Sequence, residues 1–426
     1  MVRCKRLRRQ YYNGNENPRQ LMDLPIDIVV KILLRLPVES LCRIRCVSKT
    51  LLNKVDSLSF VRQYTLSLVT GNNHVVQVPQ LMCFAYTSPS DGEEDTTSVT
   101  LQSLRYDGGT ALTKGEYTFT HSTSSPFHTS YSICFVFYNL LCMAWEDGHC
   151  LLINPLRREV LILPTDSIEQ LTKYGPNSEV HIGWYGMGFD NITNTYKIVR
   201  ISMILSKEPY STLGMLAHVL VLGTSSWREI SSVPPCLLNR AYNICAYGDM
   251  HWLVKAGGAI KSHIISFDFK NEEFCWTPTP PTLQSSNRDS KLHLLTLRGS
   301  MAIVETFSLP EGGMNVEIWV MKDYAKKEWA REYNINVDMR PEFELKYATC
   351  GEWEHGIFFN DLDNSLKSNG IAIFFLDLRC DSINLVTCPL ETEQFSKIMS
   401  YSGSLISLRD YGTLGYTNEP NDELVT

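Results

Sequence analysis

Chemistry in a protein has to come from side chains that move protons, attack carbonyls or hold metals, and here those residues lack the spacing such work needs. The ten histidines stand at 74, 121, 128, 149, 181, 218, 251, 263, 293 and 355, and no two show the HxH or HxxxH spacing that aims two imidazoles at one metal. His251, beside Trp252 in a strand-like run, reads as a structural histidine. The thirteen cysteines are odd in number and contain no CxxC pair, which favours reduced thiols and excludes the zinc ladders of a RING-type ligase. Cys42 and Cys46 share a helix face but have no second ligand pair, so they read as small core residues. There is no GxGxxG or GxxxxGK[ST] for a nucleotide, and Gly186-Met187-Gly188 suits a close approach of strands better. Acidic pairs such as Glu93-Glu94 and Glu272-Glu273 read as solvated turns. Asn191-Ile192-Thr193 has the form of a glycosylation sequon, incidental in a chain with reduced thiols. No catalytic residue, metal or cofactor is expected.

Composition narrows the function classes further. The chain of 426 residues is 44% hydrophobic, 20% charged and 11% aromatic, an ordinary soluble balance with a lean toward β structure. A formal net charge of −7 argues against wrapping nucleic acid or coating an anionic membrane. The longest apolar run, 133–145, is broken by Asn139 and too short to span a bilayer. Residues 1–20 crowd Arg3, Lys5, Arg6, Arg8 and Arg9 into a tail that is either a nuclear-localisation signal or simply solvated. A cytoplasmic or nuclear location, or both, is the expectation.

The elements that would position a binding site come next. Residues 21–65 have helical periodicity, with Pro25 and Pro37 each suited to the first position of a helix and Ser48 suited to cap a third short helix toward Lys54. On the first helix Asp27, Lys31 and Arg35 share a narrow polar stripe. Ile28, Val29, Val30, Ile32, Leu33, Leu34 and Leu36 cover roughly 240° of the remaining circumference, far more than the ~100° stripe that one core requires. Val38, Leu41, Ile44 and Val47 follow on the second helix, then Leu51, Leu52 and Val55. Some forty residues cannot bury that surface among themselves. The surplus must lie either against the rest of the chain or against a partner protein.

Leu24-Pro25, Ile28, Ile32-Leu33, Arg35-Leu36-Pro37, Ser40-Leu41 and Cys46-Val47-Ser48-Lys49 together resemble the F-box pattern over its full length. The resemblance implies a three-helix module that docks on the Skp-type adaptor of a cullin–RING ubiquitin ligase. It also implies that Leu24, Pro25, Ile28, Ile32, Leu33, Leu36, Pro37, Leu41 and Val47 build the module or its adaptor face. One departure is Leu51, where the family usually carries Trp.

Beyond residue 65 short apolar runs alternate with Gly, Pro, Asn, Asp and Ser clusters, and one design recurs: a strand, a polar turn, then a strand with an aromatic. The turns fall near 107, 154, 223, 268, 323 and 377, intervals of roughly 45–70 residues that suit kelch-like propeller blades. About six blades follow, with five to eight tolerable, and the long interval from 154 to 223 is read as an insertion at 164–180. Residues 66–86 or 401–408 are the expected source of the strand that closes the ring. Stretches 88–98, 120–130 and 279–290 read as exposed loops. Gly188-Phe189-Asp190, Tyr196-Lys197-Ile198-Val199-Arg200, Trp227-Arg228, His251-Trp252-Leu253 and Ile265-Ser266-Phe267-Asp268 resemble the plant F-box-associated domain.

The expectation is therefore an α+β multidomain chain: a basic tail at 1–20, a short three-helix F-box at 21–65, an all-β propeller-like target domain at 66–412 and an acidic tail at 413–426. The resemblance implies the non-catalytic substrate-recognition subunit of an SCF-type ligase, with an unidentified target protein held by loops such as 164–181, 206–216 and 308–315. A propeller that binds a glycan or protein and uses the F-box without degradation is the alternative.

Overall fold

Each proline opens a helix, as its fixed φ and missing N–H allow. In the computed structural model α1 (Ile26–Leu33) follows Pro25 and α2 (Val38–Arg45) follows Pro37, the prolines standing one position ahead of the first helical residue. The Pro25 carbonyl accepts from the N–H groups of Ile28 (2.9 Å) and Val29 (3.2 Å). Ser48 caps α3 (Lys49–Val55), its hydroxyl accepting from the Leu51 N–H at 3.2 Å. A fourth helix, α4 (Leu58–Thr70), extends the expected three and runs through the boundary drawn at residue 65. Its signal was in the sequence: Phe60, Val61, Tyr64 and Leu68 recur at helical spacing, and all face the shared core.

The structure describes residues 24–70, 79–87, 96–108, 112–124, 132–137, 139–144, 150–165, 178–207, 211–238, 243–255, 262–281, 283, 290–310, 312–338, 349–361, 370–389 and 396–414. The basic tail lies outside them, as does most of the acidic one.

From residue 80 onward six four-stranded antiparallel sheets form a propeller. Blade 1 holds β1 (Gln80–Thr87), β2 (Thr96–Tyr106) and β3 (Leu112–Ser124). Blade 2 is β4 (Ser132–Phe137), β5 (Leu140–Ala144), β6 (Cys150–Asn154) and β7 (Glu159–Ile162). Blade 3 is β8 (Ser178–Asp190), β9 (Thr195–Ser206), β10 (Ser211–Val221) and β11 (Arg228–Ile230). Blade 4 is β12 (Asn243–Ala246), β13 (Asp249–Lys255), β14 (Ser262–Asp268) and β15 (Glu273–Thr277). Blade 5 is β16 (Lys291–Leu297), β17 (Ser300–Ser308), β18 (Met314–Asp323) and β19 (Glu328–Val337). Blade 6 is β20 (Thr349–Trp353), β21 (Gly356–Asp361), β22 (Gly370–Asp377) and β23 (Ser382–Pro389). The final strand, β24 (Ser396–Tyr401), returns to pair with β1 and supplies the missing first strand of blade 1.

Every turn singled out in the sequence joins the third and fourth strands of a blade, so the repeat being read was the outer hairpin. Neither suggested closing segment is the closing strand: 66–86 contains most of β1, the strand it pairs with, but begins in α4, and 401–408 shares only Tyr401 with β24. The long interval has two sources: the fifteen residues between β7 and β8, which hold most of the stretch read as an insertion although 166–177 lie outside the described residues, and the length of the strands. Blade 3 has strands of 13, 12 and 11 residues against 5 and 5 for β5 and β6 of blade 2. Threonine-rich stretches taken for loops are partly strand: Thr120 faces Thr100 and Thr123 faces Thr97 across β2 and β3. β-branched Thr has a high strand propensity. Likewise 178–181 belongs to β8 and 211–216 to β10.

No blade could bury both its faces alone, and separate apolar clusters fill the seams between neighbours. The largest cluster joins blades 2, 3 and 4 to the four helices.

Alternating strand direction gives the disc two unlike faces. On one, strand ends are joined by hairpin turns of two to six residues; on the other, the connections run from four to fifteen. The helices lie on the hairpin side. The Thr65 and Tyr196 hydroxyls are 2.7 Å apart, Arg157 of the β6–β7 turn reaches Asp56 at 3.3 Å, and Gln80 donates to Glu39.

Candidate partner-docking site on the helical module

The helical module divides its apolar side chains between an inner and an outer face. Val29, Leu33, Val38, Leu41, Leu51, Val55, Phe60, Val61 and Tyr64 are buried in the cluster shared with the propeller. Leu33 and Leu41 are fully covered, so of the residues expected to serve a partner these two build the module instead. Leu24 (40% exposed), Ile28 (42%), Ile32 (39%) and Val47 (73%) remain open, together with Pro25 and with Ile26, which the sequence reading passed over. Leu36 and Pro37 are partly covered, and the Leu36 carbonyl accepts from the Tyr64 hydroxyl at 2.9 Å. Leu51, the departure from the family pattern, is buried and therefore lies inside the module.

Helical geometry explains the division. Val29 and Leu33 are four apart on one stripe of α1, and Ile28 and Ile32 form the next stripe round, beside exposed Lys31 and Arg35. Each partly exposed isoleucine forgoes part of the ~1.5–3 kcal/mol that full burial supplies. Polar contacts hold the module from behind. Arg45 of α2 meets Asp56, the residue ending α3, at 2.8 Å, and Asp56 also meets Arg157. Burial works against the Arg45 charge, but the Asp56 hydrogen bond and charge outweigh it and raise the guanidinium pKa. Burial pushes the Cys42 thiol up, although Arg45 opposes the shift. The Cys46 thiol is exposed, contrary to the core role expected for it, and lies 3.5 Å from the Cys42 carbonyl.

The remaining candidates for chemistry are tied into structure. His251 is fully buried, with Nδ1 2.7 Å from the Ser266 hydroxyl and Nε2 3.1 Å from the Ala246 carbonyl. Burial pulls its pKa down to about 3, so the ring is neutral, as the structural reading expected. Lys197 spans Asp190 (2.9 Å), Glu272 (3.0 Å) and the Phe269 carbonyl (3.0 Å), tying blade 3 to blade 4. Among the described residues no cluster of His, Cys, Asp and Glu has the geometry to hold a metal, and no helix is long and apolar enough to cross a membrane. The arrangement places an apolar patch on one side and, on the opposite side of the disc, a face of longer connections. The stretches 164–181, 206–216 and 308–315 all belong to that second face, although 166–177, 208–210 and 311 lie outside the described residues.

Sequence reasoning missed α4, the Asp56–Arg157 contact and the chain after β24. Only α4 had a local signal; the others join residues far apart in the chain.

Comparison with known families agrees with this division. Residues 21–63 match the F-box domain, and residues 81–387 match the F-box associated beta propeller domain. F-box protein At4g19940 of Arabidopsis thaliana is 26% identical over 332 residues, covering 77% of this chain and 75% of that protein. F-box protein CPR1 of the same plant is 22% identical over 334 residues, covering 73% of each. The F-box/kelch-repeat protein At4g19930, also of Arabidopsis thaliana, is 26% identical over 322 residues, covering 72% of this chain and 68% of that one. With a helical F-box domain leading into six blades matched over most of its length, this chain belongs to the F-box proteins that carry an F-box-associated β-propeller.

Proposed function

We propose that the protein is the target-recognition subunit of an SCF-type cullin–RING ubiquitin ligase. In this reading Leu24, Pro25, Ile28, Ile32 and Val47 meet a Skp-type adaptor, Leu36 and Pro37 border the contact, and Leu33 and Leu41 shape the helices that carry it. The propeller holds an unidentified target protein on its longer-connection face. The contribution to ubiquitin transfer is proximity, a raised effective concentration of target near the charged carrier, with the reaction performed by other subunits. Such a subunit would work in the cytoplasm, the nucleus or both.

The observation that carries the reading is the open isoleucine stripe. Ile28 and Ile32 stay about two-fifths exposed on a helix whose other stripe is sealed against the chain's own propeller. An Ile28→Asp, Ile32→Asp double variant should weaken adaptor binding by about 100-fold or more, with the melting temperature little changed. Pull-down with purified adaptor measures the first and calorimetry the second. Unchanged co-purification of a folded double variant would remove the docking claim.

A further inference from the structure

The chain does not end when β24 closes the ring. It leaves blade 1 on the hairpin face and crosses beneath blades 2 and 3 as residues 402–414, ending its described course in a bridge between Leu414 and Leu161. Buried polar side chains of blade 2 fix its path. Asn154 Nδ2 donates to the carbonyls of Ser404 (3.1 Å) and Ile406 (2.7 Å). Glu159 accepts from the Leu408 N–H at 2.6 Å and faces the Ser407 hydroxyl (3.4 Å) and Arg409 (3.5 Å). The Ser402 N–H donates to Asn139 at 2.6 Å.

The opposite side of this segment meets the helices. A Cβ on Gly403 would stand 3.2 Å from Val38 Cγ1 and 3.1 Å from Leu156 Cδ2, so helix and blade close on the same residue. Leu405, Ile406 and Leu408 enter the cluster that also contains Val29, Leu33, Val38 and Leu41. Tyr411 packs edge-on against Tyr196, with centroids 6.0 Å apart, and Tyr196 is the residue whose hydroxyl meets Thr65 of α4.

We propose that residues 402–414 form a clamp that fixes the helical module in one orientation on the propeller, with Asn154 and Glu159 as its positioning residues. One terminal segment then both completes the ring and sets where the docking face points. The consequence for ligation, a constant span between adaptor and target, rests on the function proposed above. The clamp itself does not, and it is tested without any adaptor.

The test uses the full chain with spin labels on bioorthogonal side chains at Asp27 of α1 and Lys326 of the β18–β19 turn. The intact chain should give one narrow distance distribution, and so should a chain ending at Leu414. A chain ending at Tyr401, which keeps β24, should melt cooperatively yet show a distribution about threefold broader. A full-length Asn154→Ala, Glu159→Gln variant should broaden in the same sense, which guards against a truncation that fails to fold. A distribution that stays narrow in the double variant would overturn the clamp. So would broadening already present in the chain ending at Leu414.

Discussion

Asp190 and Glu352 sit in one propeller, yet protons act on them in opposite senses. Burial works against the Asp190 charge, but Lys197, the Thr193 hydroxyl and the N–H groups of Ile192 and Thr193 overcome it and bring the carboxyl down to about 2. Its contribution is complete above the usual carboxylate range and fades as pH falls from about 4 toward 2. Glu352 is the reverse case. Burial lifts it to about 7, with the Arg298 N–H at 2.7 Å as partial relief. A carboxyl raised in the folded state favours folding as pH falls from about 7 toward 4.5 and penalises it above 7. Glu352→Gln keeps an acceptor for Arg298 and removes the charge, so the variant should be more stable than the native chain at pH 8, with the gain shrinking at pH 5. Urea unfolding at the two pH values checks this. At this scale the sequence told which residue types were present and not which way they faced. Ile32 and Leu33 are adjacent and both apolar, and only the packing of α1 makes one a surface and the other a core.

At the scale of elements, α4 is the piece that joins two readings the sequence kept apart. Its Tyr64 hydroxyl holds the turn between α1 and α2 through the Leu36 carbonyl, and Thr65 holds the propeller through Tyr196. Both ends of the Thr65–Tyr196 bond are buried. Burial pushes the Tyr196 phenol pKa well up, with the Thr65 bond opposing, so the group stays a neutral hydroxyl. Tyr196→Phe should therefore cost about 1–2 kcal/mol, since one buried hydroxyl loses its partner. Chemical denaturation measures the loss, and faster amide exchange in α4 would assign it to this helix. The short helices α1, α2 and α3 were legible because prolines and a serine punctuate them. The helix α4 begins on a mark of the same kind, Ser57, whose hydroxyl accepts from the Phe60 N–H at 3.4 Å, but its Thr and Ser residues resemble those of the strands that follow.

For the whole molecule, the blade count was legible and the closure was not. The count came from outer hairpins, each contained within a few residues of sequence. Closure pairs Met82 with Met399 and Phe84 with Lys397, residues that no local pattern links. A chain ending at residue 395 keeps all the hairpins but leaves β1, with Leu81, Met82, Cys83 and Phe84, without its inner neighbour. Such an edge is an invitation to pair with other chains. That truncation should elute as soluble aggregate on size exclusion and lose cooperative melting, whereas a chain ending at Tyr401 should keep both a monomeric peak and a melt. The adaptor prediction belongs to this scale as well: Ile28→Asp with Ile32→Asp alters only an outer surface, while Leu33→Ala should cost about 2–5 kcal/mol by opening a cavity in the shared core.

The unlike faces of the disc carry a consequence for how such proteins diversify. Hairpin turns beneath the helices leave little room for inserted or deleted residues, because each is pinned between a strand pair and the module. The far side is under no such constraint, and a gene can lengthen or trim a connection there while the seat of the helices stays the same. Related chains should therefore differ in length mainly between second and third strands and between successive blades, so that one face varies while the other keeps its shape.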